Sequence, residues 1–413
     1  MSSIRRRCVF YVSGFDPKGA RYYHGLYKEQ AALQAKVNGM HVEVGPRRAL
    51  HEGGAFWELR ADTAEGPVDT RYEFMAWDDV VRDHWPKSQL RLWWKIVVTT
   101  IFYLRTGTLW KMFKLAWPIA VAAFVPFVLV CCVFIGVPIA MWLTGWLVSA
   151  LTGEPRFAWL FAGLAGVALL WIAHRLEARY SLYWMMRSYA FTARQGRGEL
   201  PELEARLDAL ANRLVQRVDA AGCDEVLVVG HSSGAIMAVA ILARALRQAP
   251  RLAAGSTPRL SLLTLGQCIP LLALLPGAHG LRRELELLGA AGNLDWIDFS
   301  APPDGCCFAL VDPLGGCGLT AASDRPKLLS PRFADMFSPA EYQQLRSDKL
   351  RMHFQYLRAS AYPQAYDYFL ITAGALSLAD RFASIPGVVG YSGLRPFGPP
   401  ADPARTPSRI RSG

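Results

Sequence analysis

The sequence predicts an α/β fold, with a mostly parallel sheet flanked by helices and an inserted two-helix transmembrane hairpin. Three observations point there. The apolar run Val226–Val229 ends in Gly230-His231-Ser232-Ser233-Gly234 and gives way at once to a small-residue and aliphatic helix pattern, Ala235–Leu246. A second strand-like run, Cys8–Ser13, lies far upstream and also ends at a glycine, Gly14. Between the two, no charged residue occurs from Leu115 to Gly153 or from Phe157 to Ala173.

The uncharged stretches account for an unusual composition. Over 413 residues, 52% are hydrophobic and only 19% charged, too apolar a balance for an ordinary soluble protein of this size. A helix crosses a bilayer with about 20 apolar residues, so both stretches are candidate spans, expected at about 116–142 and 157–174. The first is too long for one straight span at about 1.5 Å per residue. Pro118, Pro126 or the Gly136-Val137-Pro138 sequence could kink or split it. If the strand before the apolar region and the strand after it share one sheet, the number of crossings is even. Arg91, Lys95, Arg105, Lys111 and Lys114 precede the region, and Arg175, Arg179, Arg187, Arg194 and Arg197 follow it. The connector carries only Glu154 and Arg156. Basic flanks on both sides place both ends in the cytoplasm. The expected arrangement is a multi-pass integral membrane protein, of the kind found in a bacterial inner membrane, with a cytoplasmic α/β domain. Met1–Arg7 is basic, but a short strand pattern follows instead of a leader's apolar core. The net charge of +11 fits attraction to anionic lipid headgroups, and no nucleic-acid motif accompanies it.

Strands are also expected at Met40–Val44, Phe56–Arg60, Thr70–Ala76, Leu260–Leu265 and Leu294–Phe299, and helices at Tyr22–Lys36 and Pro201–Ala221. Asp78-Asp79 can cap a helix. Tyr180–Ala193 is aromatic and suits the membrane interface. Ala301–Leu319 reads as a loop rich in Gly, Pro and Cys, and Leu345–Leu357 as a helix or a loop feeding one. The expected organisation is residues 1–90 and 194–395 as two parts of one α/β domain, 91–193 as the membrane insertion, and 396–413 as a disordered tail. The eight cysteines form neither a metal-ligand pattern with histidine nor a disulfide framework, and no cofactor or metal is expected.

A strand, G-x-S-x-G and helix in succession suit a nucleophilic serine. The serine must sit on a tight turn with its hydroxyl above the sheet edge, and the flanking glycines let strand and helix pass closely. The Ser233 amide, at the helix start, can face a developing oxyanion. His231 reads as a packing residue beneath the turn. A serine hydroxyl needs a base and an orienting acid, in the chain order Ser, Asp or Glu, His. Only His279 and His353 follow Ser232. His353 is late enough to be the base, whereas His279 sits in the turn Pro276-Gly-Ala-His-Gly280. For the acid, Asp304 in Pro302-Pro303-Asp304-Gly305 lies just beyond a strand end, with Asp298 and Asp312 as alternatives. The second oxyanion donor belongs on the loop after an early strand, which points to the Phe15 amide, with Asp16 second.

These residues resemble the α/β-hydrolase superfamily. Leu263-Thr264-Leu265-Gly266-Gln267, following the Gly230–Gly234 elbow, looks like the strand ending after the elbow in class 3 lipases, and Asp304 and His353-Phe354-Gln355-Tyr356 sit at matching places. The likeness covers about 225–356 plus the Gly14 loop. It departs in the membrane hairpin and in Cys268-Ile269, which displace the expected proline to Pro270. The resemblance implies a serine hydrolase with an α/β-hydrolase-like fold. Taken with the membrane hairpin, the expected function is a membrane-integral serine hydrolase acting on an acyl ester or thioester, and a site held near a bilayer makes a lipid a fitting substrate. The same residues would serve an acyltransferase, and a catalytically inactive membrane scaffold is the alternative from another class.

Overall fold

The computed structural model describes residues 3–51, 53–86, 88–254, 258–320, 325–389 and 391. The expected tail at 396–413 lies outside them. Among the described residues nine strands form one sheet: β1 (Arg6–Val12), β2 (Val42–Val44), β3 (Arg48–Ala49), β4 (Ala55–Thr63), β5 (Gly66–Phe74), β6 (Glu225–His231), β7 (Arg259–Leu265), β8 (Leu294–Phe299) and β9 (Lys327–Leu329). Their order is β2-β4-β5-β1-β6-β7-β8-β9, with β3 beside β4. From β5 to β9 every pairing is parallel, while β2, β3 and β4 add an antiparallel edge. The fold is therefore α/β with a mostly parallel mixed sheet.

Alternate residues of the central strands enter different cores. Phe10, Val12, Val226, Val228, Leu260 and Leu262 pack on one face. Val9, Tyr11, Leu227, Val229, Leu263 and Leu265 pack on the other. Burial on both faces is why these strands read as unbroken apolar runs. The long helices Pro201–Ala221 and Gly234–Gln248 cover the first face, and Ala20–Asn38 covers the second.

Strand β1 lies between β5 and β6, so the strand order changes direction at β1. Loops leaving β1 and β6 there diverge, and such a point opens a crevice at the carboxyl ends of the strands. The early and late segments are joined directly: Tyr11 pairs with Val229 and Val12 with Gly230. At the opposite end of the same pair, Arg7 and Glu225 form a fully buried ion pair at 2.7 Å. Arg7 also donates to the carbonyls of Gly374 and Leu376, and Glu225 accepts from Ser261 and the Leu378 amide.

The apolar region forms two long helices. Trp117–Thr152 is continuous, with a π-helical stretch at Cys132–Gly136, and Pro155–Tyr180 returns beside it. Both are long and apolar enough to span a membrane. The expected break at Gly136-Val137-Pro138 is instead a π-helical adjustment, which lets a proline sit within a helix without ending it. The first helix runs ten residues past the expected end at 142. Its far part is the more exposed: Trp142 and Trp146 are 68% and 62% exposed, as is Trp159 on the returning helix at 81%, whereas Ile119, Ala120, Ala123 and Val130 nearer the domain are core residues.

The stretch 91–193, expected as a membrane insertion, packs in part against the α/β unit. Leu92, Ile96, Tyr103, Met112, Met186 and Tyr189 belong to the same core as β1 and β6. The aromatic segment after the second helix becomes the helix Leu182–Gly196, whose Met186, Tyr189 and Phe191 are buried against the domain. Burial of Tyr189 and Phe191 accounts for part of its aromatic character, while Tyr180 is 44% exposed. Asp78 and Asp79 are the first residues of a helix capped by the Trp77 position, and their side chains bind Arg82 and Arg206.

Replacing Arg7 with Ala would leave the Glu225 carboxylate buried without its counter-charge, a loss of about 3–5 kcal/mol. Denaturant unfolding of the purified protein should show a loss of that size. A change below about 1 kcal/mol would mean that the pair does not clamp the two strands.

Candidate active site

Ser232 follows β6 with a φ of 60°, a left-handed conformation that a non-glycine residue rarely adopts. Its amide donates to Leu265 O at 2.9 Å, which ties the turn to the end of β7. Two glycines make the turn possible. A Cβ on Gly230 would come 2.6 Å from Ala235 Cα, and one on Gly234 would come 2.4 Å from Val12 O. Neither contact can be relieved without moving backbone, so the spacing G-x-S-x-G reflects strand, turn and helix packed against one another. Gly14 closes in from the other side, where a Cβ would lie 3.0 Å from Ser232 Cβ. Ser232 therefore sits packed between the carboxyl ends of β1 and β6.

The expected acid and base meet. His353 Nδ1–H donates to Asp304 Oδ2 at 2.8 Å, and both side chains are buried. Asp304 Oδ2 also accepts from the Tyr356 hydroxyl at 3.1 Å, and Oδ1 accepts from the Cys306 amide at 3.0 Å. Burial, the largest influence on Asp304, favours its protonated form. The neighbouring His353 ring and these hydrogen bonds outweigh it and hold the carboxyl below its ordinary value. The acid is thus ionised and fully engaged in orienting the ring. His353 Nε2 is buried and has no hydrogen-bond partner. It is not bonded to Ser232 Oγ, which makes its hydrogen-bond contact with Cys268 Sγ at 3.8 Å. Catalytic contacts of this kind often tighten only when a substrate is bound.

The alternative acids are occupied elsewhere. Asp298 accepts from Thr264 and Ser300, each at 2.7 Å, and Asp312 caps its own loop by accepting from the Leu314 amide. His279 is exposed at the start of a helix.

On the oxyanion side the structure differs from expectation. The Phe15 amide donates to Ser233 Oγ at 2.7 Å, and the Asp16 amide donates to Gly14 O at 2.7 Å. Neither is open to a substrate oxygen in this conformation. Turning of the Ser233 hydroxyl would release Phe15. Ser233 itself stands at the start of the helix Gly234–Gln248, where the helix dipole favours negative charge.

Four residues join the site without having been singled out for it. His231 Nε2–H donates to the His353 carbonyl at 2.9 Å, and the two rings lie 4.9 Å apart. Burial pushes the His231 ring down to about 3, so it remains a neutral strut beneath the base. Tyr356 holds Asp304 and accepts from the Ala301 amide. Trp184 sets its ring 6.4 Å from that of His353, bringing the helix after the hairpin to the site. Cys268, pushed up to about 12 by burial, stays a thiol beside Ser232. The place of His231 inside the elbow, where it was expected to pack beneath the turn, and the nearness of Tyr356 to His353 in sequence were the local signs of these roles. The ligand atoms of Asp304, Cys306 and His353 lie within 4.8 Å of one another, close enough to share a metal ion. The hydrogen bond between Asp304 and His353 accounts for most of that closeness.

Comparison of the chain with protein-family models, curated proteins and solved structures gave no match in any of the three.

Burial also pushes Asp298 up to about 7. A carboxyl that holds its proton more tightly when folded favours folding most at low pH, and that advantage is lost as pH rises through the folded value. Asp298 should therefore contribute less stability at pH 8 than at pH 5. The Tm difference between the wild type and Asp298→Asn should shift in the variant's favour over that interval. A difference independent of pH would show that Asp298 does not titrate there.

Proposed function

We propose that this protein is a membrane-integral serine hydrolase of the α/β-hydrolase type, cleaving an acyl ester or thioester. The observation that carries the reading is the buried Asp304–His353 hydrogen bond, which leaves His353 Nε2 unpartnered in the fold that presents Ser232. In this reading Ser232 Oγ attacks the acyl carbon while His353 Nε2 takes its proton. Asp304 stabilises the resulting imidazolium and fixes the ring's orientation. The Ser233 amide, together with Phe15 once the Ser233 hydroxyl turns, receives the charge on the carbonyl oxygen. His353 returns the proton to the leaving alcohol or thiol. Water then attacks the acyl-serine, with His353 again as base. Transfer of the acyl group to an alcohol would use the same residues.

The apolar surface around Trp142, Trp146 and Trp159, with basic residues on both sides, supports insertion of the two long helices into a bilayer as a hairpin. The pairing of β1 with β6 requires the chain to return to the side from which it left, which a hairpin does. The exposed part of the first helix, from about Cys132 to Thr152, approaches the roughly 30 Å of bilayer hydrocarbon at about 1.5 Å per residue. The basic flanks favour a cytoplasmic domain.

A second reading is a hydrolase-like module without activity. The engaged Phe15 amide and the absent Ser232–His353 hydrogen bond favour it. One experiment separates the two. A fluorophosphonate probe should label the full-length protein, and Ser232→Ala should abolish the label. Asp304→Asn should slow labelling at neutral pH by about 10²- to 10⁴-fold. Equal labelling of wild type and Ser232→Ala would reject the nucleophile, and no labelling of either would favour the inactive module.

A further inference from the structure

A cavity of about 380 Å³ lies between the first long apolar helix and the loop carrying Asp304. Small-ligand sites typically enclose about 300–1000 Å³. Val121, Ala122 and Val125 form the wall on the long helix, Met185 a second wall, and Cys306 a third. Among the described residues, Lys349 supplies the only charge in the lining.

The cavity borders both elements of the acid–base pair. Cys306 lies two residues past Asp304, and its amide holds the Asp304 carboxylate. Lys349 begins the short helix Lys349–His353, which ends at the base. Cys306 Sγ lies 3.5 Å from Met185 Sδ, and Trp184, next to Met185, packs on His353. On its other side the cavity is bounded by the near end of the same helix whose far part carries the exposed tryptophans. Val121 is itself 39% exposed, so this wall continues onto the apolar surface. A chain leaving a bilayer along that helix would meet mostly apolar side chains up to the acid loop.

We propose that this cavity holds the fatty acyl chain of an anionic bilayer lipid ester, which enters sideways along the first apolar helix. Its negative headgroup lies by Lys349. This rests on the serine-hydrolase reading, whose bond-breaking step it leaves unchanged. The membrane-side wall selects a lipid, and the exposed lysine selects an anionic one.

The test uses the full-length protein in vesicles and keeps the two readings apart. Failure of a small fluorophosphonate to label Ser232 would sink the hydrolase reading, whatever the cavity does. With labelling established, kcat/KM for p-nitrophenyl esters should rise with chain length from butyrate to laurate, since each methylene removed from water is worth up to about fourfold. Ala122→Trp and, in smaller measure, Ala122→Leu should lower the laurate-to-butyrate ratio, the former by about tenfold or more. An unchanged ratio in both would overturn the cavity assignment. In the unaltered protein, phosphatidylglycerol bearing a terminal diazirine should crosslink to residues 302–306 as well as to the first helix. It should do so more strongly than the phosphatidylcholine equivalent. Crosslinks confined to the long helices, or equal yields from the two lipids, would contradict the proposal. Turnover of a soluble palmitoyl thioester, with none of vesicle phosphatidylglycerol, would assign the cavity to a soluble acyl donor and overturn the lipid assignment.

Discussion

The ladder between β1 and β6 joins segments that meet only through tertiary structure: Arg7 and Glu225 are 218 positions apart and share a buried ion pair. The rest of the site follows from this pairing. It sets Gly14 against Ser232, brings the Phe15 amide to Ser233, and makes β1 the strand at which the sheet order turns. Closing so long a loop is less costly than its length suggests, because the entropy of closure grows only logarithmically. Two antiparallel helices that carry the chain out and back lessen the difficulty further, since their ends emerge close to the same surface.

The apolar region serves two purposes along its length. Near the domain, Ile119, Ala120 and Ala123 fill the same core as the central strands. Farther out, large apolar side chains such as Trp142 and Trp146 are mostly exposed, and the helix packs along the returning one. One continuous helix makes both contacts, so it couples the outlying hairpin rigidly to the α/β unit. The helix that follows completes the link by placing Trp184 against the base and Met185 against Cys306. Any movement of the hairpin relative to the domain would be felt at the acid loop.

Within the site, the polar groups are buried and held by their neighbours, and among the described residues His353 Nε2 has no partner. Asp304 receives His353, Tyr356 and the Cys306 amide, and neutral His231 supports the carbonyl of His353. These buried bonds leave the imidazole little freedom other than to present Nε2. The serine side is less settled, because Ser233 Oγ holds an amide that an oxyanion would need.

How much of this could be read from residue order follows from range. Strands β6, β7 and β8 are legible because both faces are buried, and β1 because its apolar run ends at a glycine. Strands β3 and β9 are two and three residues long, too short for any periodic signal. Ser232, Asp304 and His353 stand out through chain order and strand ends. His231 was legible as a packing residue beneath the turn, but its bond to the His353 carbonyl and the nearness of Cys268 to Ser232 are contacts across distant sequence, which leave no local pattern. The Phe15–Ser233 hydrogen bond depends on a side-chain rotation that composition cannot specify. The helix through Pro138 was hidden because a π-helical stretch absorbs a residue normally read as a break.

The most direct measurement is an experimental structure of the full-length protein after reaction with a fluorophosphonate. The account predicts phosphorus on Ser232 Oγ, His353 Nε2 within hydrogen-bond distance of the adduct, and the Phe15 amide turned from Ser233 Oγ toward the phosphoryl oxygen. An adduct elsewhere, or one on Ser232 with His353 out of reach, would contradict it.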